Sequence, residues 1–232
     1  METENTPSRA ASVRSVDRAR TPQDVDRFLD RTLIGDDPTM VAVLEASDDA
    51  GLPRIAVSPQ QGKFLSLLAS AIQARRILEI GTLGGFSSIW LARGAGPRGR
   101  VLTLESDPKY AAVARRNFER AGVADRVEVL VGAALESLPT LIGDPFDLIF
   151  VDADRNNYVE YLNWAVKLGR PGSIVLVDNV IGGGHVLTAG DAGATAVRQM
   201  LKIIGEHPRL DGVSIQTVGA KNWDGFALAL VR

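Results

Sequence analysis

The 232-residue sequence predicts an α/β fold, a mostly parallel sheet with helices on both faces, ending in an antiparallel hairpin. Three observations predict it. From about residue 76 onward, short apolar runs alternate with helical patterns. The runs are apolar throughout, as strands buried on both faces require. The last twenty residues hold two β-rich runs around a short turn containing Lys221 and Gly225.

Three helical stretches precede the sheet. Thr21-Pro-Gln-Asp opens the first, which runs to about residue 34; Pro22 sits in a first turn, and Asp24 and Asp26 suit a helix N-terminus. Asp37-Pro38 opens the second, with Met40, Val43 and Leu44 as its apolar side. Ser58-Pro59 opens the third, where Phe64, Leu65, Leu68 and Ile72 repeat at helical spacing. The core then reads as strand 76–80, helix 87–92, strand 101–105, helix 108–121 and strand 127–131. Strand 146–151, helix 158–168, strand 173–178 and helix 192–206 follow. Strand 213–218, a turn at 221–225 and strand 226–231 close the chain. We read 22–232 as one domain, with helices at 22–73 and the core at 74–232. Residues 1–21, rich in Arg, Ser and Thr, read as a mobile tail; Glu2, Glu4 and Asp17 argue against a transit peptide.

Composition narrows the function. A net charge of -2 advertises no whole-chain field for nucleic acid or an anionic membrane. The absence of cysteine excludes disulfides, thiolate metal sites and cysteine nucleophiles, and fits a cytoplasmic setting. No apolar run reaches the roughly 18 residues that span a bilayer.

Parallel sheets of this kind bind ligands beyond the carboxyl ends of their strands, so the residues there carry the chemistry. Ile77-Leu-Glu-Ile-Gly-Thr-Leu-Gly-Gly-Phe-Ser87 places glycines where the backbone turns after the first core strand. A dinucleotide fingerprint would read G-x-G-x-x-G; here the spacing is Gly81-x-x-Gly84-Gly85. Glu79, two residues before Gly81, suits a ligand with a cationic end better than a pyrophosphate. Glu105 ends the second strand, where a carboxylate can accept two ribose hydroxyls. After the third strand, Gly132-Ala-Ala134 is small enough for a flat ring to lie on the backbone, although an ordinary turn has the same look. Asp152 and Asp178-Asn179 end the fourth and fifth strands, and adjacent parallel strands bring them together. Two carboxylates and an amide oxygen form a hard-oxygen set that suits Mg²⁺. Helix capping is the plainer alternative for the same residues, and Asp154 is the member most suited to a structural or cofactor-facing role.

Together these residues resemble the cation-dependent O-methyltransferases of the catechol and caffeoyl-CoA type. The resemblance runs from about Pro38 to Val231. Its carriers are Val57-Ser-Pro-Gln-Gln-Gly62, Leu78 to Ser87, Leu104-Glu105, Phe150-Val-Asp-Ala-Asp154, Tyr158-x-x-Tyr-Leu162 and Val177-Asp-Asn-Val180. It implies a Rossmann-like methyltransferase fold with a seven-stranded sheet. It implies S-adenosylmethionine (SAM) as methyl donor, Mg²⁺ or another divalent cation, a phenolic small molecule as acceptor, and a homodimer. Carried over by position, Val57, Glu79, Gly81 and Ser87 would hold the methionine end of SAM, Glu105 the ribose, and Ala134 the adenine through its backbone. Asp152, Asp178 and Asn179 would bind the metal, with Asp152 also bordering the cofactor.

The chain departs from the pattern in three places. Where many relatives carry a lysine proposed as general base, Arg155 stands; a guanidinium stays protonated and cannot be that base, which leaves three readings: Arg155 as an electrostatic clamp, the metal or its bound hydroxide sufficing alone, or reduced activity or a different substrate. A carboxylate that helps hold substrate in the animal catechol enzyme is replaced by Val218. The loop Ile181-Gly-Gly-Gly-His185 lacks a bulky residue, which leaves the site more open. His185 has a pKa range suited to a base but reads as a loop surface residue, and His207 as structural.

Three other functions stay open at this point. One is methylation of a hydroxylated tRNA nucleoside, which a basic patch of Arg14, Arg18, Arg20, Arg54 and Arg155 would support. A second is a SAM-binding protein without catalysis, motivated by Arg155. A third, a nicotinamide dehydrogenase, is disfavoured by the glycine spacing.

Overall fold

The computed structural model describes residues 20–232. The proposed tail, with Arg14 and Arg18, lies outside them apart from its last two residues. Each N-terminal helix begins where a capping side chain meets a proline. Thr21 and Asp24 form a reciprocal capping box on α1 (Pro22–Leu29). Asp37 accepts the Met40 N–H on α2 (Pro38–Asp49), and Ser58 accepts the Gln61 N–H on α3 (Pro59–Ala71). The first helical stretch runs to Ile34, as the sequence predicts. Its last turn widens into a π-turn over Asp30–Ile34, stopped by Gly35 at φ 73°.

The alternating core follows: β1 (Arg76–Ile80), α4 (Phe86–Ala95), β2 (Arg100–Glu105), α5 (Pro108–Arg120), β3 (Val127–Val131), the short α6 (Ala134–Ser137), β4 (Phe146–Val151), α7 (Tyr158–Leu168), β5 (Gly169–Val177), α8 (Ala192–Glu206), β6 (Leu210–Val218) and β7 (Trp223–Val231). The seven strands lie in the order β3-β2-β1-β4-β5-β7-β6. Only β7 runs against the others. This is the Rossmann-like methyltransferase sheet that the resemblance implied.

Three strand bounds differ from expectation. Gly169 pairs with Phe146 before a register shift brings Ile174 opposite Leu148, so β5 starts four residues early. The hairpin is longer on both arms. Its loop is Gly219 to Asn222, closed by the Gly219 N–H to the Asn222 carbonyl at 3.1 Å, and Trp223, Asp224 and Gly225 pair with Val218, Thr217 and Gln216 instead of turning.

Two cores flank the sheet. One holds Ile77, Val101, Leu148, Phe150 and Leu176 against apolar residues of α2, α3, α4 and α5. The other holds Leu78, Ile80, Ile149, Val151 and Val175 against α7 and α8. Strand side chains alternate between faces. Glu79, Glu105, Asp152 and Asp178 therefore share the face of Ile77, Val101, Phe150 and Leu176, at the carboxyl tips of four neighbouring strands. Among the described residues no helix is long and apolar enough to cross a membrane.

Candidate functional site

The chain leaves β1 toward β2 on one side and returns to β4 on the other, which opens a crevice between the tips of β1 and β4. The hydrogen-bond ladder continues one residue past each strand there. The Gly81 N–H donates to the Leu104 carbonyl at 3.0 Å, Gly132 to Glu105 at 2.9 Å, Asp152 to Ile80 at 2.9 Å, and Asp178 to Val151 at 2.9 Å. The functional side chains beyond the strands thus start from one rigid line.

A cavity of about 590 Å³ lies over this line. It is walled by Val57, Gly81, Phe86, Ser87, Glu105, Tyr110, Ala134, Leu135, Asp152, Asp154, Tyr161 and Asn179, among others. Gly81 is fixed by geometry. Its φ is 101°, and a Cβ there would sit 2.0 Å from the Asp152 carbonyl oxygen. Leu83 in the same turn also has a positive φ, 51°, and is held by its N–H to Glu105 Oε2 at 2.8 Å. Gly85 starts α4 in the left-handed region with no side-chain cap, so the first-turn N–H groups are left for a ligand or water.

Glu79 is fully buried. Its Oε2 accepts hydroxyls from Ser88 and, at 2.6 Å, from Thr103, its register neighbour on β2. Its Oε1 is buried without any partner. Burial pushes its pKa up from 4.5 to about 7, opposed by the hydroxyls of Ser87, Ser88 and Thr103. An orphaned carboxylate oxygen beside a cavity fits a cationic ligand group, and the methionyl ammonium of SAM is one.

Glu105 is also tied to the backbone. Its Oε2 accepts from Thr82 N at 3.3 Å and from Leu83 N, and its Oε1 from Asp107 N at 2.9 Å. It therefore holds the glycine turn and the entry to α5, and only its remaining lone pairs face the cavity. Asp154 also has two roles. It accepts from Tyr161 OH at 2.6 Å and Asn157 Nδ2 at 2.6 Å while bordering the cavity.

Asp152 and Asp178 stand side by side, one residue beyond the Val151 and Val177 register pair. Burial first, then the charge of Asp178, raises the pKa of Asp152 to about 8, with Lys221 pulling the other way. Burial also raises Asp178, opposed by the Asn179 N–H and the Gln61 amide. Asn179 completes the corner in the left-handed region at φ 57°. No three His, Cys, Asp or Glu side chains gather as a metal group among the described residues; the donor set is two carboxylates and an amide. Two buried carboxylates side by side, both raised by burial and Asp152 also by the charge of Asp178, fit a divalent cation, which would stabilise their ionised forms.

Arg155 lies on a short 3-10 turn before α7, outside the walls of the large cavity. Its Nη2 is 3.9 Å from Asp224 Oδ2, and it lines a smaller cavity of about 180 Å³ with Asn179, Gly182 and His185. His185 faces that smaller cavity and not Asp152. His207 caps α8, and its Nδ1 accepts the Arg209 N–H at 3.1 Å. Arg54 pairs with Asp48 at 2.9 Å, so it and Arg155 are each engaged by a carboxylate instead of forming a shared patch.

Sequence reasoning missed Ser88, Thr103, Gln61, Asp224 and Lys221. Thr103 was within reach, because the β1–β2 register puts it beside Glu79. Lys221 had no local signal: its ammonium reaches the Ile55 carbonyl at 3.1 Å and the Ala56 carbonyl from a hairpin loop far away in sequence.

The pattern of a family described as O-methyltransferase matches residues 33–230. The chain is 66% identical over 218 residues to a catechol O-methyltransferase of Mycobacterium tuberculosis, covering 94% of this chain and 99% of that one. An O-methyltransferase from Bacillus cereus, solved in complex with SAH, superposes with a TM-score of 0.89 at 47% identity, over 90% of this chain and 98% of that chain. An O-methyltransferase of Streptomyces achromogenes, solved in complex with SAM, gives 0.86 at 47% identity, over 90% and 96%.

Proposed function

The chain belongs to the O-methyltransferase family and is a SAM-dependent enzyme, and we propose that it methylates a phenolic hydroxyl of a catechol-like small molecule with the help of a divalent cation. The observation that carries this reading is the pair Asp152 and Asp178, side by side just past β4 and β5, with Asp152 and Asn179 on the wall of the large cavity and the orphaned Glu79 oxygen buried behind Ile80, Gly81 and Ser87 of that wall.

When bound, SAM supplies the methyl group, and Mg²⁺ or a similar ion lowers the pKa of a phenol from its usual value of about 10. The residues do the rest. Glu79 takes the ammonium end of SAM, with Ser87, Val57 and Gly81 shaping that end of the cavity. Glu105 offers its free lone pairs to the ribose, and the backbone at Ala134 lies along the adenine. Asp152, Asp178 and Asn179 would hold the cation beside the acceptor hydroxyl, so that the acceptor is oriented toward the methyl group. Arg155 supplies charge and not basicity.

The relative named catechol O-methyltransferase supports the acceptor class. A homodimer is part of the same proposal. The exposed Val25 and Phe28 of α1 and Val213 and Ile215 of the edge strand β6 offer it apolar surface.

The test is a panel of catechols, caffeoyl esters and bulk tRNA with labelled SAM, with and without EDTA. Turnover of a catechol that EDTA abolishes is the expected result. Turnover of tRNA alone, or of none of the panel, would overturn the acceptor. Turnover indifferent to EDTA would overturn the cation.

A further inference from the structure

Asp224 is buried at the start of β7, outside every assignment made above. Its Oδ1 accepts three backbone N–H groups: Ile181 at 3.1 Å, Gly182 at 2.8 Å and Gly225 at 2.9 Å. Its Oδ2 faces the Arg155 guanidinium at 3.9 Å. The Val180 N–H donates to the Gly225 carbonyl at 3.0 Å, and the Tyr158 hydroxyl donates to the Asp178 carbonyl at 2.9 Å. The segment Asp178 to Gly182 is therefore pinned on both sides of Asn179, whose left-handed backbone costs of order 1 kcal/mol or more unless its surroundings enforce it. Arg155 closes the arrangement. It lies against Gly182, where a Cβ would come within 3.3 Å of its Nη1.

We propose that Asp224 is a positioning residue: it latches the Asn179–Gly182 backbone to β7 and tethers Arg155 across the glycine loop, so that the Asn179 amide faces the cation site. This rests on the assignment of Asp178 and Asn179 as cation ligands.

Amide hydrogen exchange on the cofactor-free full chain tests the latch without turnover. In Asp224→Ala, exchange over residues 180–186 should rise about tenfold or more, with Asp224→Asn and Arg155→Gln between it and the parent. In steady state, the same order should appear in the acceptor KM and in kcat, while KM for SAM stays within about twofold. If Asp224→Ala does not fold, the Asn and Gln variants decide. Unchanged exchange in 180–186 overturns the latch. So does a rise shared equally by β5 and β7 together with weaker SAM binding, since that is general destabilisation. If the parent chain methylates no catechol, the function reading fails, and the exchange data still judge the latch.

Discussion

Replacing Glu79 by Gln separates a cofactor-binding carboxylate from a merely buried one. Burial lifts the Glu79 pKa from 4.5 to about 7. A carboxyl that is harder to ionise in the folded chain than in the unfolded chain favours folding at low pH. Below about pH 4.5 it is protonated in both states, and that contribution is fully present. It is lost as pH rises through about 7, above which the folded chain must hold the charge. At roughly 1.4 kcal/mol for each pH unit, the window from 4.5 to about 7 is worth about 3 kcal/mol. Glu79→Gln removes the titration. Its new amide nitrogen, left at the orphaned position, costs about 1–3 kcal/mol, but equally at every pH. The slopes therefore decide; Asp178 contributes alike to both proteins, and Asp152 loses in the variant only the smaller part of its upward shift that the Glu79 charge supplies. Urea unfolding of the cofactor-free proteins between pH 4.5 and 8 should show the parent losing about 3 kcal/mol more than the variant. Calorimetry adds a second reading. At pH 6, SAM binding to the parent should release protons as Glu79 ionises against the ligand's ammonium, and binding to the variant should be weaker with less release. Parallel pH profiles together with equal SAM affinity would refute the reasoning.

Other substitutions test the remaining parts. Asp178→Ala should cut cation-dependent turnover at least about a hundredfold while equilibrium dialysis still detects SAM binding; unchanged turnover would remove the metal assignment. Arg155→Lys keeps the charge beside Asp224 and should leave kcat within about threefold, and a large loss would mean that the guanidinium fork itself is needed. Gly81→Ala forces a Cβ to 2.0 Å from the Asp152 carbonyl at φ 101°. It should cost about 3 kcal/mol or more, a fall in Tm of roughly 6–12 °C by calorimetry, and an unchanged Tm would show that the turn can relax.

Sequence was a good guide where local pattern and tertiary role coincide. Buried parallel strands are short apolar runs, so their ends are legible, and with the ends came Glu79, Glu105, Asp152 and Asp178. It was a poorer guide where pairing decides. Trp223-Asp224-Gly225 carries the Asp-Gly signature of a turn, but β6 pairs with all three residues. Gly225 is instead required because a Cβ would sit 2.3 Å from the Ile215 carbonyl of the neighbouring strand. The early start of β5 likewise follows from a partner, Phe146, and from no feature of its own residues. Asp224 and Lys221 matter through contacts with Ile181, Gly182, Ile55 and Ala56, which no window along the chain contains.

Strand parity puts five carboxylates on one face of the sheet: Glu79, Glu105, Asp152, Asp178 and, on the reversed β7, Asp224 in step with Phe226. What distinguishes them is how far the protein already satisfies them. Glu105 and Asp224 each accept three backbone N–H groups, so their charge is balanced by the fold and they hold turns. On Asp152 only burial and neighbouring charges act, with no hydrogen bond among them, and Glu79 keeps one oxygen with no partner at all. A buried carboxylate in that condition is stable only if it is protonated or if something outside the chain supplies the missing positive charge. The two unsatisfied places lie at the tips of neighbouring strands, β1 and β4, on either side of Gly81. One cationic group at each, as the proposed function has it, an ammonium at Glu79 and a metal ion at Asp152 and Asp178, would account for both with a single bound donor and a single ion.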